Sequence, residues 1–152
     1  MKSKHTLRNL FLIIFFSSIF SFLIPFSTYA FSPSNNQIYQ GIDISSYQRN
    51  VNFSAVKNSG IDIVYIKSSE GTTYINPYFE SSYSNAKANG LKVGFYHYVR
   101  ARTTQQAINE ANFFSRVVSG KQADCKLAMD FENFGDLSVN QINEISKAFL
   151  ET

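Results

Sequence analysis

Two acidic side chains, Asp130 and Glu132, stand two positions apart at the end of an apolar segment. Side chains alternate along a strand, so residues two apart face the same side, with their Cα atoms about 6.5–7 Å apart. Two carboxylates at that separation repel each other, so one of them is expected to keep its proton near neutral pH. A retained proton suits a general acid that protonates a glycosidic oxygen, while an ionised neighbour stabilises positive charge on the sugar. The alternative is that both acids are solvated caps of a strand end.

Other ionisable and aromatic residues occur at the ends of neighbouring predicted strands. In parallel α/β folds, the residues that bind and react gather at the carboxyl ends of the strands. The first predicted strand has Asp43 next to its last residue, the second leads to Glu70, the third carries Tyr-His-Tyr at 96–98, and the fourth ends with Asp130 and Glu132. We therefore expect these residues to form one site.

Apolar segments and amphipathic helices alternate along the chain after residue 37. Strands are predicted where short runs of β-branched and aromatic residues occur, and helices where apolar residues recur every three or four positions. Residues 104–118 are the clearest helix, because Ala107, Ala111, Phe114 and Val118 form one apolar stripe. The predicted strands are 38–44, 61–67, 91–99 and 126–132, and the predicted helices are 53–59, 77–89, 104–118 and 138 onward.

This alternation predicts an α/β fold. Strand–helix–strand units at this spacing are right-handed and build a parallel sheet. Four strand–helix units fit either the N-terminal half of an eight-unit β/α barrel or a small doubly wound sheet, and periodicity does not separate the two. The first strand leads into residues 43–48, Asp-Ile-Ser-Ser-Tyr-Gln, which lack the glycines of a phosphate-binding turn. Nucleotide binding is therefore disfavoured.

The first thirty residues have the pattern of a secretory signal peptide. Basic residues precede an apolar run over residues 10–26, and Thr-Tyr-Ala at 28–30 supplies small residues at the positions that a signal peptidase reads. We expect cleavage after Ala30, with 31–37 as a short polar linker and no stable membrane span in the remaining chain. The alternative is an uncleaved membrane anchor, for which the run is slightly short. The pattern predicts a secreted protein.

The charge balance and the counts of cysteine and histidine disfavour several kinds of partner and of site. The whole chain has 14 basic and 11 acidic residues and a pI near 9.0. Three basic residues among the first thirty account for the difference, so the remaining chain is formally neutral and gives no reason to expect nucleic acid as a partner. Cys125 is the only cysteine, and His97 is the only histidine after residue 30. These counts disfavour a disulfide framework, a Cys–His nucleophile and a metal site.

Several motifs also occur in the order that one glycosidase family shows. Residues 41–48 (Gly-Ile-Asp-Ile-Ser-Ser-Tyr-Gln) resemble the opening strand of glycoside hydrolase family 25, the lysozymes that cleave peptidoglycan. Later segments resemble the family in the same order. Residues 67–71 resemble the end of its second strand, and residues 76–98 resemble its second helix and third strand. Residues 106–114 resemble its third helix, and residues 129–132 its fourth strand. The resemblance covers essentially all of the chain from residue 38 to residue 150.

The resemblance implies an N-acetylmuramidase that cleaves the β-1,4 bond between N-acetylmuramic acid and N-acetylglucosamine in peptidoglycan, without a cofactor. By position, Glu132 matches the family's proton donor, Asp130 the second acid of that strand, and Asp43 the acid at the floor of the groove. The residues expected to bind the sugar are Tyr96, His97, Tyr98, Tyr47 and Glu70. The alternatives are packing roles for His97, Tyr47 and Tyr98, and for Glu70 a role that only braces the site through Lys67.

The resemblance further implies a β/α barrel represented only by its N-terminal half, residues 38–152, truncated after about the fourth strand–helix unit. An open parallel sheet exposes an unpaired edge and an uncovered apolar face. We therefore expect the 152-residue chain alone to fold poorly or to be inactive. The alternative function is an inactive remnant, or a fragment that binds carbohydrate without cleaving it.

Overall fold

The computed structural model describes residues 36–152. The predicted signal peptide and most of the predicted linker lie outside the described residues. The elements in chain order are β1 (Gly41–Ile44), α1 (Phe53–Asn58), β2 (Ile63–Glu70), β3 (Tyr74–Ile75), α2 (Phe79–Ala88), β4 (Lys92–Tyr98), α3 (Thr104–Val118), β5 (Ala128–Asp130) and α4 (Val139–Leu150). The four predicted strands and four predicted helices are all present, with bounds that differ by a few residues.

The strands form one sheet in the order β1-β2-β4-β5, and all neighbours in this order are parallel. The predicted α/β class with a parallel sheet is therefore confirmed. The two-residue strand β3 pairs antiparallel with the end of β2. It was not predicted, because two exposed residues are too few to show a period of two.

One face of the sheet is covered by helices and forms the core. Val64, Ile66, Val93 and Phe95 are fully buried on this face, and the Phe95 ring lies 5.1 Å from the ring of Phe79 in α2. Burial of these side chains supplies the main stabilising free energy of the domain, about 1.5–3 kcal/mol for each large apolar group. The opposite face carries half-buried and polar side chains, and the candidate site lies there.

Side chains cap the first turns of two helices. Thr103 accepts a hydrogen bond from the backbone of the first turn of α3, and Ser138 forms a capping box with Gln141 at the start of α4. Gly60 and Gly90 follow α1 and α2 with φ of 87° and 69°, the left-handed backbone in which glycine avoids a steric cost. Within residues 36–152, no helix is long and apolar enough to cross a membrane.

Candidate active site

The face of the sheet opposite the helices holds a groove of about 560 Å³. Its walls come from all four parallel strands and from the segments just before β1 and just after β5. The lining residues are Tyr39, Gly41, Ile42, Asp43, Ile63, Tyr65, Tyr96, Ala128, Met129, Asp130 and Glu132. The volume is within the range of about 300–1,000 Å³ that is usual for small-ligand sites.

The floor of the groove depends on a close approach between Tyr65 and Gly94. The two residues are paired across β2 and β4, and the Tyr65 ring lies over the Cα of Gly94, where a Cβ atom would be 2.4 Å from Cε1 of the ring. The Tyr65 hydroxyl then donates a hydrogen bond of 3.0 Å to the carbonyl oxygen of Lys126, just before β5. The absence of a side chain at Gly94 therefore allows one tyrosine to cross β4 and to connect β2 with the segment that leads into β5.

Three carboxylates converge on Tyr96 in this groove. Burial raises the pKa of the Tyr96 phenol well above its ordinary value, and the negative charges of Asp43, Asp130 and Glu132 raise it further. Asp43 lies in β1, Tyr96 in β4 and Asp130 at the end of β5, so the sheet order brings together residues that are far apart in sequence. The phenol therefore stays protonated, and its hydroxyl is able to donate a hydrogen bond.

The pair Asp130 and Glu132 has the interaction that its spacing indicates. Burial, and then the neighbouring charge and hydrogen bond of Glu132, raise the pKa of Asp130, while Lys67 acts in the opposite direction. The raised pKa belongs to Asp130, whereas the resemblance gives the role of proton donor to Glu132. The neighbouring carboxylate of Glu132 therefore helps to keep Asp130 protonated to a higher pH. Asp130 is the last residue of β5, and the exposed Glu132 lies beyond the strand.

Glu70 lies beside the groove and contacts cations. Its carboxylate contacts Lys67 at 2.5 Å and Arg100 at 2.6 Å. Burial alone would raise the pKa of Glu70, but hydrogen bonds from Lys67 and Arg100 outweigh it and lower the pKa. The Tyr98 ring is near the same two cations, 4.6 Å from Lys67 Nζ and 5.0 Å from Arg100 Cζ. Glu70 thus contacts Lys67, as in the bracing alternative, and neither Glu70 nor Tyr98 is part of the groove lining.

The structure places His97 away from the groove, which corrects the expectation that it lines a sugar subsite. Adjacent strand residues face opposite sides, so Tyr96 faces the groove and His97 faces the helices. His97 is fully buried, and its ring stacks on Phe149 of α4. Its Nδ1 lies 2.8 Å from Ser69 Oγ, and its Nε2 lies 3.2 Å from Glu110 Oε2. His97 therefore occupies the packing position that was the alternative.

Tyr47 lies in the loop after β1, with 89% of its surface exposed, and it does not line the groove. Near it, the hydroxyl of Tyr74 in β3 donates to Ser46 Oγ at 3.0 Å, which joins the loop to β3. Sequence reasoning missed Tyr65 as a residue of the site, because it sits inside an apolar strand. The available signal was its spacing of two residues before Lys67, which puts both side chains on one face.

Among residues 36–152, no group of three or more His, Cys, Asp and Glu side chains has the geometry to hold a metal ion. The groups that converge in the groove are carboxyls and phenols. Such groups can donate and accept protons and can stabilise a developing positive charge.

The sequence pattern described as Glycosyl hydrolases family 25 matches residues 42–152. The chain belongs to glycosyl hydrolase family 25. This family 25 chain is 44% identical over 112 residues to the autolytic lysozyme of Clostridium acetobutylicum, a match that covers 74% of this chain and 34% of that protein. It is similar to the solved family 25 lysozyme of Aspergillus fumigatus, with 32% identity, a TM-score of 0.62, and coverage of 74% of this chain and 58% of that one.

A family 25 glycosyl hydrolase from Bacillus anthracis shares the fold with a TM-score of 0.65 at 21% identity, over 82% of this chain and 59% of that one. The predicted family membership is therefore confirmed, and so is the β/α type of fold. The family 25 chain spans about a third of the length of its Clostridium relative.

Proposed function

We propose that this family 25 chain is a secreted, lysozyme-type glycosidase that cleaves the β-1,4 bond between N-acetylmuramic acid and N-acetylglucosamine in peptidoglycan. The observation that carries the proposal is the convergence of Asp43, Asp130 and Glu132 around Tyr96 in one groove. The signal-peptide pattern of the first thirty residues supports export to the compartment where peptidoglycan lies.

In the proposed mechanism, Glu132 is the general acid and the other two acids support it. Repulsion between two ionised carboxylates favours one proton on the neighbouring pair Asp130 and Glu132, and burial and the charge of Glu132 raise the pKa of Asp130. Glu132 delivers that proton to the glycosidic oxygen as the bond to the leaving sugar breaks. The ionised Asp130 that remains, together with Asp43, stabilises the positive charge that develops on the sugar ring. A water molecule then adds to the anomeric carbon and returns a proton to Glu132, which leaves a new reducing end.

The experiment compares the wild-type protein with the variants Glu132→Gln and Glu144→Gln. Glu144→Gln is the matched control, because Glu144 is an exposed glutamate of α4. The assay measures release of reducing ends from purified peptidoglycan, and mass spectrometry identifies the sugar at the new end. We expect Glu132→Gln to lower turnover by about 10²–10⁴-fold, the usual contribution of a general acid, and Glu144→Gln to leave it unchanged.

Three results would count against the proposal. An unchanged rate in Glu132→Gln would remove Glu132 from the role of acid. New reducing ends on N-acetylglucosamine would assign cleavage to the other glycosidic bond. A wild-type protein that binds the glycan without releasing reducing ends would support the alternative of a carbohydrate-binding protein.

A further inference from the structure

The segment that follows β5 is held by the guanidinium group of Arg102. Arg102 donates from Nη1 to the carbonyl oxygen of Asn133 and from Nη2 to the side-chain Oδ1 of Asn133, the latter at 3.0 Å. Asn133 directly follows Glu132 in the chain. Because one rigid, planar group binds both the main chain and the side chain of the same residue, it fixes the backbone position and the rotamer of Asn133 together.

Arg102 is itself anchored to the framework of the fold. Its backbone N–H donates to Gln106 Oε1 at 2.7 Å, and Gln106 lies in the first turn of α3. The preceding residue, Ala101, is buried in the core. The guanidinium also lies against the backbone of Gly135, where a Cβ atom would be 3.6 Å from Nη2 and where φ is +52°. The arginine that binds the segment after β5 is therefore anchored outside that segment, at the start of α3 and in the core.

Glu132 needs such a support because it lies beyond the regular strand. The last paired residues of β4 and β5 are Tyr98 and Asp130, and the backbone N–H of Val99 donates to the Asp130 carbonyl oxygen at 2.8 Å. Glu132 comes two residues after this point and is exposed. The direction of its carboxyl group therefore depends on what holds the turn that follows.

We propose that Arg102 is a positioning residue that, through Asn133, fixes the backbone presenting Glu132 to the groove. This inference rests on the role of Glu132 as general acid. Arg102 belongs to the turn before α3, and it acts on the reaction only through the position of its partner. Misplacement of a reacting group by about 1 Å can cost about 10²-fold in rate, which sets the scale of the expected effect.

The variants separate geometry from charge. Arg102→Met keeps the length of the side chain and removes the hydrogen bonds and the charge. Arg102→Lys keeps the charge but cannot bind the carbonyl and Oδ1 of Asn133 in the same planar arrangement. Asn133→Ala removes only the contact at Oδ1. Arg116→Met is the matched control, because Arg116 is an exposed arginine on α3 beside Phe113.

The first measurement is kcat and KM on purified peptidoglycan. We expect Arg102→Met to lower kcat by about 10–100-fold with KM changed by less than about 3-fold, since substrate contacts remain while the acid is misplaced. Arg102→Lys restores little of the loss, and Asn133→Ala gives a smaller loss. The double variant of Arg102→Met with Asn133→Ala equals Arg102→Met alone, because Oδ1 has then already lost its partner. A wild-type kcat in Arg102→Met would overturn the inference, as would full rescue by lysine.

The second measurement is hydrogen exchange of the backbone amides of residues 131–135, which does not depend on turnover. We expect faster exchange in this segment in Arg102→Met and Asn133→Ala, and no change in Arg116→Met. Unchanged exchange in the Arg102 variant would show that the guanidinium does not hold the segment and would overturn the inference. If the wild-type protein released no reducing ends, the proposed function would fail, and exchange alone would still decide whether Arg102 holds the segment.

Discussion

The contact between Tyr65 and Gly94 gives a sharp prediction for the substitution Gly94→Ala. The added methyl group would lie 2.4 Å from Cε1, 2.6 Å from Cζ and 2.7 Å from Cδ1 of the Tyr65 ring. Carbon atoms prefer separations of about 3.5–4.0 Å, so the ring must withdraw by about 1 Å. The ring is tied at its other end by the 3.0 Å hydrogen bond from its hydroxyl to Lys126. A withdrawal of that size stretches this bond beyond the useful range of about 3.5 Å.

Two terms set the size of the effect. Overpacking by one methyl group in a well-packed region costs about 1–3 kcal/mol, and loss of one hydrogen bond costs about 0.5–1.5 kcal/mol. We therefore expect Gly94→Ala to lower the free energy of unfolding by about 2–4 kcal/mol. Such a loss is a large part of the stability of a small domain, which is about 5–15 kcal/mol.

The assay is equilibrium unfolding in urea, followed by circular dichroism, with the midpoint and the slope fitted separately. Gly41→Ala in β1, on the same face of the sheet, is the matched control, because its Cβ would meet the nearest atoms of Ile63 at ordinary distances of 3.5 and 3.6 Å. We expect it to change the free energy of unfolding by less than about 0.5 kcal/mol. In a Tyr65→Ala background, Gly94→Ala should likewise cost less than about 0.5 kcal/mol, since the clash is gone. An equal cost of Gly94→Ala in both backgrounds would refute the reasoning.

Two further substitutions test the acid pair and the buried histidine. Asp130→Asn should raise the melting temperature relative to wild type, and the gain should grow from pH 3 to pH 7. The reason is that the native pKa of Asp130 is above its unfolded value, so wild-type stability falls as the pH rises through that native pKa. Thermal unfolding, measured about every 2 pH units, checks this, and a gain that shrinks as the pH rises would contradict it. Ser69→Ala should lower the free energy of unfolding by about 1–3 kcal/mol, because it removes the hydroxyl that lies 2.8 Å from His97 Nδ1 in a fully buried site. Urea unfolding measures this change. An equal change in the exposed control Ser115→Ala would show that the contact with His97 contributes nothing.

Tyr96 and His97, neighbours in β4, show what the sequence pattern leaves undetermined. The motif Tyr-His-Tyr at 96–98 was correctly placed at the end of a strand. Alternation required Tyr96 and His97 to face opposite sides, but the sequence did not say which side held the groove. A β-bulge between Lys67 and Ser69 shifts the register so that Ser69 pairs with His97 on the helix side. That irregularity in β2 has no period that a sequence pattern could reveal.

The amino-acid pattern alone predicted the order of strands and helices, the family resemblance, and the strand ends near which Asp43, Asp130 and Glu132 lie. These features depend on local periodicity and on short motifs, which the chain carries in every segment. The three-dimensional structure decided which residues meet across the sheet. Arg102 and Asn133 are 31 residues apart and Tyr65 and Lys126 are 61 apart, and such contacts follow from register and from side-chain direction in neighbouring strands. Local pattern does not encode either one, so the support of Glu132 and the floor of its groove became visible only in the folded chain.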